Sequence, residues 1–225
     1  MAFKTGDLIK VNYTLKDRED VLDTTVENVA IKSGIFNSKK KYRPATVIIG
    51  KKNFFEKVDK EIETMNVGEK KVIELKPNDA FGDRSAELIS IVALSEFKKR
   101  NIVPFPGLVV DVNGMQGRVQ SVSGGRVRVD FNHPLAGKDL IFEVEVVEKI
   151  DDDKKKASAL LERYFGDSSG AELSLSDKKL VVALDPTKVV VTDSQKKEFV
   201  DAAFSCIGIE EVNIVEKFFK EKKKS

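Results

Sequence analysis

Residues 130–150 read DFNHPLAGKDLIFEVEVVEKI, and the second half of this stretch decides how the chain is organised. Leu140, Phe142, Val144 and Val146 fall on one side of an extended segment, the period-two pattern of a half-buried strand. Its best match in pattern lies far away. From Leu8 to Lys16, Ile9, Val11, Tyr13 and Leu15 alternate with Lys10, Asn12, Thr14 and Lys16, a second half-buried strand. Two such strands separated by more than a hundred residues imply that something is inserted between them.

Working outward, Val21-Leu22-Asp23-Thr24-Thr25 leads into a segment to Arg43, holding Gly34 and the run Lys39 to Lys41, that reads as a long loop or flap. Thr46 to Ile49 is a short β-branched run stopped by Gly50. Asn53 with Glu56 three residues on reads as a capping box. The helix it opens carries Phe54 or Phe55, Val58, Ile62 and Met65 on one stripe and stops at Asn66-Val67-Gly68. Lys70 to Lys76 is extended again and runs into Pro77 and a turn over Asn78 to Gly82. Between Ser85 and Asp130 the texture changes to short apolar runs punctuated by Pro104, Pro106 and Gly107. Asn113-Gly114 and Gly124-Gly125 there are hairpin signals. Asp151 to Lys156 is all charge and reads as a linker. Beyond it the pattern predicts a helix over 157–165, strands over 179–184 and 188–191, a helix over 194–206 and a strand over 212–218, a small α+β domain.

Composition excludes several classes of function. The 39 basic and 37 acidic residues nearly cancel, so no global field of the kind that holds nucleic acid is present. One cysteine, Cys206, allows no internal disulfide, and with one histidine, His133, a zinc site has too few ligands; no metal or cofactor is expected. His133, beside Pro134, reads as a loop-fixing side chain, and Cys206 as a small buried one. No leader-like start and no long apolar segment is seen, so a soluble, cytoplasmic chain with no membrane partner is expected.

Several separated motifs stand in the order of one family. Tyr13, Val21-Leu22-Asp23, Val67-Gly68-Glu69-Lys70, Pro77 to Gly82, and Leu140 to Glu145 together resemble the FKBP prolyl isomerases, and Asp130 to Gly137 resembles the return from an inserted domain in the SlyD-like and long archaeal members. The resemblance implies an FKBP-like antiparallel sheet wrapped on one helix (1–84 and 131–150), a β-rich inserted flap domain with chaperone character (85–130), the linker 151–156 and a C-terminal α+β domain (157–225). It implies a catalytic pocket of Tyr13, Asp23, Phe55, Phe81 and Phe142, with Phe54, Val58, Ala80, Leu135 and Leu140 lining it. Phe81 stands where many members have tyrosine, and Val58 where many have the tryptophan this chain lacks. The lysine-rich end of the sequence does not resemble the His- and Cys-rich tail of some SlyD proteins, so metal handling by that route is not implied.

The insert has its own physical reading. Ile89, Ile91, Leu94, Phe97, Val103, Phe105 and Met115 are among more apolar side chains than so small a unit buries, which predicts an exposed apolar groove for unfolded chains. The expected partners are thus unfolded or nascent polypeptides containing X-Pro. Two alternatives stay open: a holdase with little isomerase activity, and an interaction protein whose C-terminal domain recruits a ribosomal or other partner or pairs as a homodimer.

Overall fold

The computed structural model describes residues 3–112, 114–166 and 170–218. Its first elements are β1 (Leu8–Asp17), β2 (Asp20–Thr24), α1 (Glu27–Lys32), β3 (Ala45–Ile48), α2 (Glu56–Glu63) and β4 (Lys70–Leu75). Then come β5 (Ile89–Ala93), α3 (Leu94–Lys99), β6 (Val109–Val112), β7 (Met115–Ser123), β8 (Arg126–Asp130) and β9 (Leu140–Ile150). The last are α4 (Asp153–Phe165), β10 (Ala171–Ser176), β11 (Lys179–Leu184), α5 (Asp193–Cys206) and β12 (Glu211–Glu216). This is the expected mixture of helices and largely antiparallel sheets. The chain divides into two compact units, one of Met1–Glu74 with Ile141–Ser225 and one of Leu75–Leu140.

In the first unit the two strands read from the sequence pair directly. β9 lies antiparallel against β1, and the sheet order is β2-β1-β9-β4, with β3 pairing the N-terminal half of β1. The register skips Val147 opposite Lys10 and Val11, which sets a bulge in β9; Leu8 and Ile9 are both buried, Leu8 in the core that the C-terminal helices share, so strict alternation fails there. α2 buries Val58 and Ile62, and Met65 just beyond it is buried too.

The C-terminal elements form a three-stranded sheet, β10-β11-β12, with β10 antiparallel and β12 parallel to β11. Leu160, Leu161 and Phe165 of α4 pack with Phe199 and Ala203 of α5 and with Leu180, Val182 and Leu184 of β11. Leu8, Ile48 and Ile150 belong to the same core, so the first sheet and the C-terminal helices bury apolar surface together.

The second unit holds the sheet β5-β8-β7-β6 with Phe97 of α3 packed on Val110, Val119, Val127 and Val129. Gly124 (φ +56°) and Gly125 (φ +76°) both take the left-handed backbone that the tight β7–β8 hairpin needs, as their pairing in sequence predicts. Val112 pairs with Met115 across the other expected hairpin, whose Asn113 lies outside the described residues.

Four local expectations are corrected. The stretch to Arg43 is not all loop: it contains α1, stapled by Val29 and Ala30 donating to the Val26 carbonyl. The helix expected from Asn53 starts at Glu56, with Phe55 as N-cap, because the Asn53 side chain is engaged with the Ile48 and Lys51 backbone. α4 starts at Asp153, four residues before Ala157, because the Asp152 carboxylate caps it by accepting from Lys155 N at 2.8 Å. Residues 188–191 form no strand: Lys188 and Val189 donate to the Asp185 carbonyl in a turn, and Ala171–Ser176 supplies the strand instead. The lysine tail from Lys220 to Lys224 lies outside the described residues.

Candidate functional site

Register alone brings three of the expected residues onto one face. Leu15 of β1 stands opposite Asp23 of β2 on one side and Phe142 of β9 on the other, so Tyr13, two residues back, is diagonal to both. The backbone there is tied: Tyr13 N donates to Thr25 Oγ1 at 2.9 Å, and the Tyr13 carbonyl accepts from Thr25 N and Thr24 Oγ1, each at 3.0 Å.

A third ring comes from the turn before α2. Asn53 clasps the end of β3 through Ile48 N and O, and the Asp59 carboxylate reaches back from α2 to accept from the N–H groups of Asn53 and Phe54. This sets Phe54 edge-on to Tyr13, with centroids 5.1 Å apart, and tilted on Phe142 at 5.0 Å. Tyr13 and Phe142 are stacked at 5.3 Å. The three rings thus form a closed triangle with offset geometries that aromatic quadrupoles favour. Val58 in α2 is fully buried and Phe142 nearly so, while Tyr13, Phe54 and Phe55 are half-buried.

Polar chemistry at the triangle is concentrated on one carboxylate. Tyr13 Oη donates to Asp23 Oδ2 at 2.7 Å. Asp23 Oδ1 accepts from Thr24 N at 2.9 Å and from the ammonium of Lys40. Burial, and then the hydrogen bond to and charge of Asp23, push the Tyr13 phenol well above its ordinary pKa, so it stays a donor at every physiological pH. Lys40, which the sequence places in a lysine run of the loop, pairs with the site acid; its ammonium also lies 5.5 Å over the Tyr42 ring, which stacks on Phe36. No spacing in the sequence signals this pair, because Asp23 and Lys40 are seventeen positions apart with a helix and a loop between them.

The remaining expected residues belong to the second unit. Phe81 is stacked on His133 with centroids 4.1 Å apart and planes 7° from parallel. His133 Nδ1 accepts from Leu135 N at 3.2 Å, so the histidine shapes the 133–137 turn as read. Ala80 and Leu135 are half-buried, and Leu140 at the start of β9 is buried. Gly137 N donates to the Gly82 carbonyl at 2.9 Å, which joins the two turns that carry Phe81 and Leu135.

Of the apolar insert residues, Ile91, Val103, Phe105 and Met115 are exposed, Val103 at 82%, while Ile89 and Leu94 are half-buried. Phe97 is 4% exposed and forms the centre of this unit's core. A groove of about 340 Å³ does exist there, lined by Ile91, Val92, Phe97, Arg100, Ile102 and Val112 among others. Among the described residues no group of three His, Cys, Asp or Glu side chains could hold a metal ion, and no helix is long and apolar enough to cross a membrane.

Residues 90–135 match the family model described as FKBP26, IF domain. Over 143 residues the chain is 32% identical to a short-type peptidyl-prolyl cis-trans isomerase of Methanocaldococcus jannaschii, covering 64% of this chain and 91% of that one. It is 28% identical over 151 residues to the FKBP-type 16 kDa peptidyl-prolyl cis-trans isomerase of Escherichia coli, covering 65% of this chain and 93% of the relative. It is also 28% identical over 150 residues to the FKBP-type peptidyl-prolyl cis-trans isomerase SlyD of Helicobacter pylori, covering 65% and 73%.

Proposed function

This chain belongs to the FKBP-type peptidyl-prolyl cis-trans isomerases, of the SlyD-like kind, and we propose that it performs that isomerisation at the Tyr13–Phe54–Phe142 triangle on proline-containing chains held by its β-rich insert. The ring triangle with the Tyr13–Asp23 hydrogen bond carries this reading. Rotation about X-Pro makes and breaks no covalent bond; its barrier of about 20 kcal/mol is amide resonance. A planar amide is strongly dipolar and loses hydration on entering a ring-lined site, whereas the twisted amide is less dipolar and loses less. Preference for the twisted form by about 4 kcal/mol accelerates the rotation about a thousandfold.

In this account Phe54 and Phe142 grip the proline ring. Tyr13 completes the wall, and Asp23, fixed by Tyr13, Thr24 and Lys40, directs a carboxylate at the rim, where it acts on the amide dipole. Phe55 and Val58 complete the pocket within this unit. Residues 85–130 act as an inserted flap domain whose exposed Ile91, Val103, Phe105 and Met115 capture unfolded or nascent chains, raising their effective concentration for the pocket. Residues 157–225 form an appended α+β domain that is anchored to the isomerase sheet through Leu8, Ile48 and Ile150.

The test compares two substrates with two proteins: a short proline tetrapeptide and a proline-limited refolding protein, each with the full chain and with a form lacking residues 85–130. The shortened form is expected to keep tetrapeptide turnover and to lose refolding catalysis. Equal refolding catalysis by both forms overturns the role of the insert. Suppression of aggregation by the full chain without faster isomerisation of either substrate overturns the pocket.

A further inference from the structure

The sheet of the second unit has two unlike faces. Val119, Val127 and Val129 point onto Phe97, and the residues alternating with them point the other way. On that open face Arg126 and Arg128 of β8 stand opposite Ser123 and Ser121 of β7, and opposite Ala93 and Ile91 of β5. Arg118 of β7 stands opposite Val109 of β6 and Asp130 of β8. All three arginines are exposed, and none makes an ion pair with any described residue.

Acids on this face are already engaged. Asp130 is 3% exposed, ion-paired with Arg84, and accepts from Gln120 Nε2 at 2.8 Å and from Asn132 N and Nδ2 at 2.8 and 2.7 Å. Asp111 accepts from Gly114 N at 3.0 Å. At its Arg118 end the face runs into a cleft of about 550 Å³ lined by Arg84, Arg118, Asn132, Pro134 and Leu135. The chain as a whole is nearly neutral, so a face with three uncompensated arginines is a local feature that composition hides.

We propose that this open sheet face, with its cleft, binds acidic, extended segments of polypeptide clients. The inference rests on the isomerase reading and names the client chemistry. Arg126 and Arg128, two residues apart on one strand, are about 7 Å apart along it, which is also the repeat of alternate side chains in an extended client. Guanidinium groups take carboxylates through paired hydrogen bonds, the serines add donors, and the exposed Ile91 and Val109 accept interleaved apolar side chains. Single-stranded nucleic acid binds on aromatic stacking platforms, and the apolar side chains interleaved here are aliphatic.

The experiment uses the full chain and two fluorescein-labelled unstructured peptides that differ only in carrying alternating aspartates or alternating lysines beside one proline. Binding by anisotropy at low salt is expected to favour the aspartate peptide by about tenfold, as a few exposed ion pairs supply. That preference shrinks in about 0.5 M salt, where the screening length is a few ångströms. The double substitution Arg126→Glu with Arg128→Glu is expected to reverse the preference toward lysine, a gain that misfolding does not produce. Equal affinity of the native chain for both peptides overturns the proposal, as does an aspartate preference that survives the reversal. Tighter binding of an oligouridylate, lost in the reversed variant, overturns it in favour of RNA. Turnover of an uncharged proline tetrapeptide by the native chain is measured alongside: its absence sinks the pocket reading and leaves the peptide affinities to decide this one.

Discussion

Tyr13→Phe removes one oxygen and leaves the ring triangle in place. The lost group donates to Asp23 Oδ2 at 2.7 Å from a half-buried position. A hydrogen bond to a charged partner contributes about 1.5–3 kcal/mol when well shielded. The Asp23 side chain is 44% exposed and shares its charge with Lys40, so the expected loss is about 1 kcal/mol at neutral pH. Alkaline pH then separates this bond from generic packing. The phenol ionises near pH 10 in the unfolded chain and at higher pH in the folded one, first because it is buried and second because Asp23 accepts its proton. Between those two values the folded state holds a proton that the unfolded state has released. The stabilisation is therefore complete below about pH 10 and is lost as pH rises through the folded value. Urea unfolding of both proteins at pH 7, 9 and 11 measures this: the wild-type advantage is the same at pH 7 and 9 and smaller at pH 11. An advantage that stays constant to pH 11, or a variant as stable as the wild type at pH 7, refutes the reasoning.

Leu160→Ala opens a cavity in the core shared by Leu8, Ile48, Ile150 and the C-terminal helices, and is expected to cost about 2–5 kcal/mol. Because that core joins the first sheet to α4 and α5, fluorescence and circular dichroism should report one coincident transition for Met1–Glu74 with Ile141–Ser225; two separated transitions would contradict it. In the insert, Phe97→Ala is expected to cost about 3–5 kcal/mol, whereas Phe105→Ala, more than half exposed, changes stability by about 0.5 kcal/mol or less and instead weakens binding of an unfolded client. Thr192→Ala removes the hydroxyl that accepts from Gln195 N in the capping box at the start of α5, while the backbone N–H of residue 192 still faces Gln195 Oε1, and is expected to lower the unfolding free energy by about 1 kcal/mol in the same denaturation assay.

The parts of this fold that sequence made legible are those where one face of an element is buried and long enough to show its period. β9 and β1 display it over many residues, and α2 shows Val58 and Ile62 one turn apart. Short elements escape: six-residue α1 has too few turns for a stripe, and β10 alternates Leu173 and Leu175 with Ser174 and Ser176, a weak contrast beside a Ser- and Gly-rich approach. Val189-Val190-Val191 carries strong strand propensity, yet Pro186 and the Asp185 side chain, which accepts from Thr187 N at 3.0 Å, bend the chain into a turn, and Val190 is left in solvent. At the site, motif order named Tyr13, Asp23, Phe54 and Phe142; the register explains why the first two meet Phe142, and the turn before α2 brings in Phe54. Lys40 was invisible, since a loop that folds back on Asp23 leaves no periodic trace. Counting apolar residues in a small unit says that some must be exposed without saying which, and most of Phe97 went to the core.

The most direct measurement is isomerisation of a proline tetrapeptide by the wild-type chain and by Phe142→Ala, with circular dichroism confirming that the variant is folded. Phe142, held by both other rings, is placed to grip the proline ring, and losing about 2 kcal/mol of that contact in the transition state predicts a fall in kcat/KM of about thirtyfold. A folded Phe142→Ala protein that turns over the peptide as fast as the wild type would place the chemistry elsewhere and contradict the account.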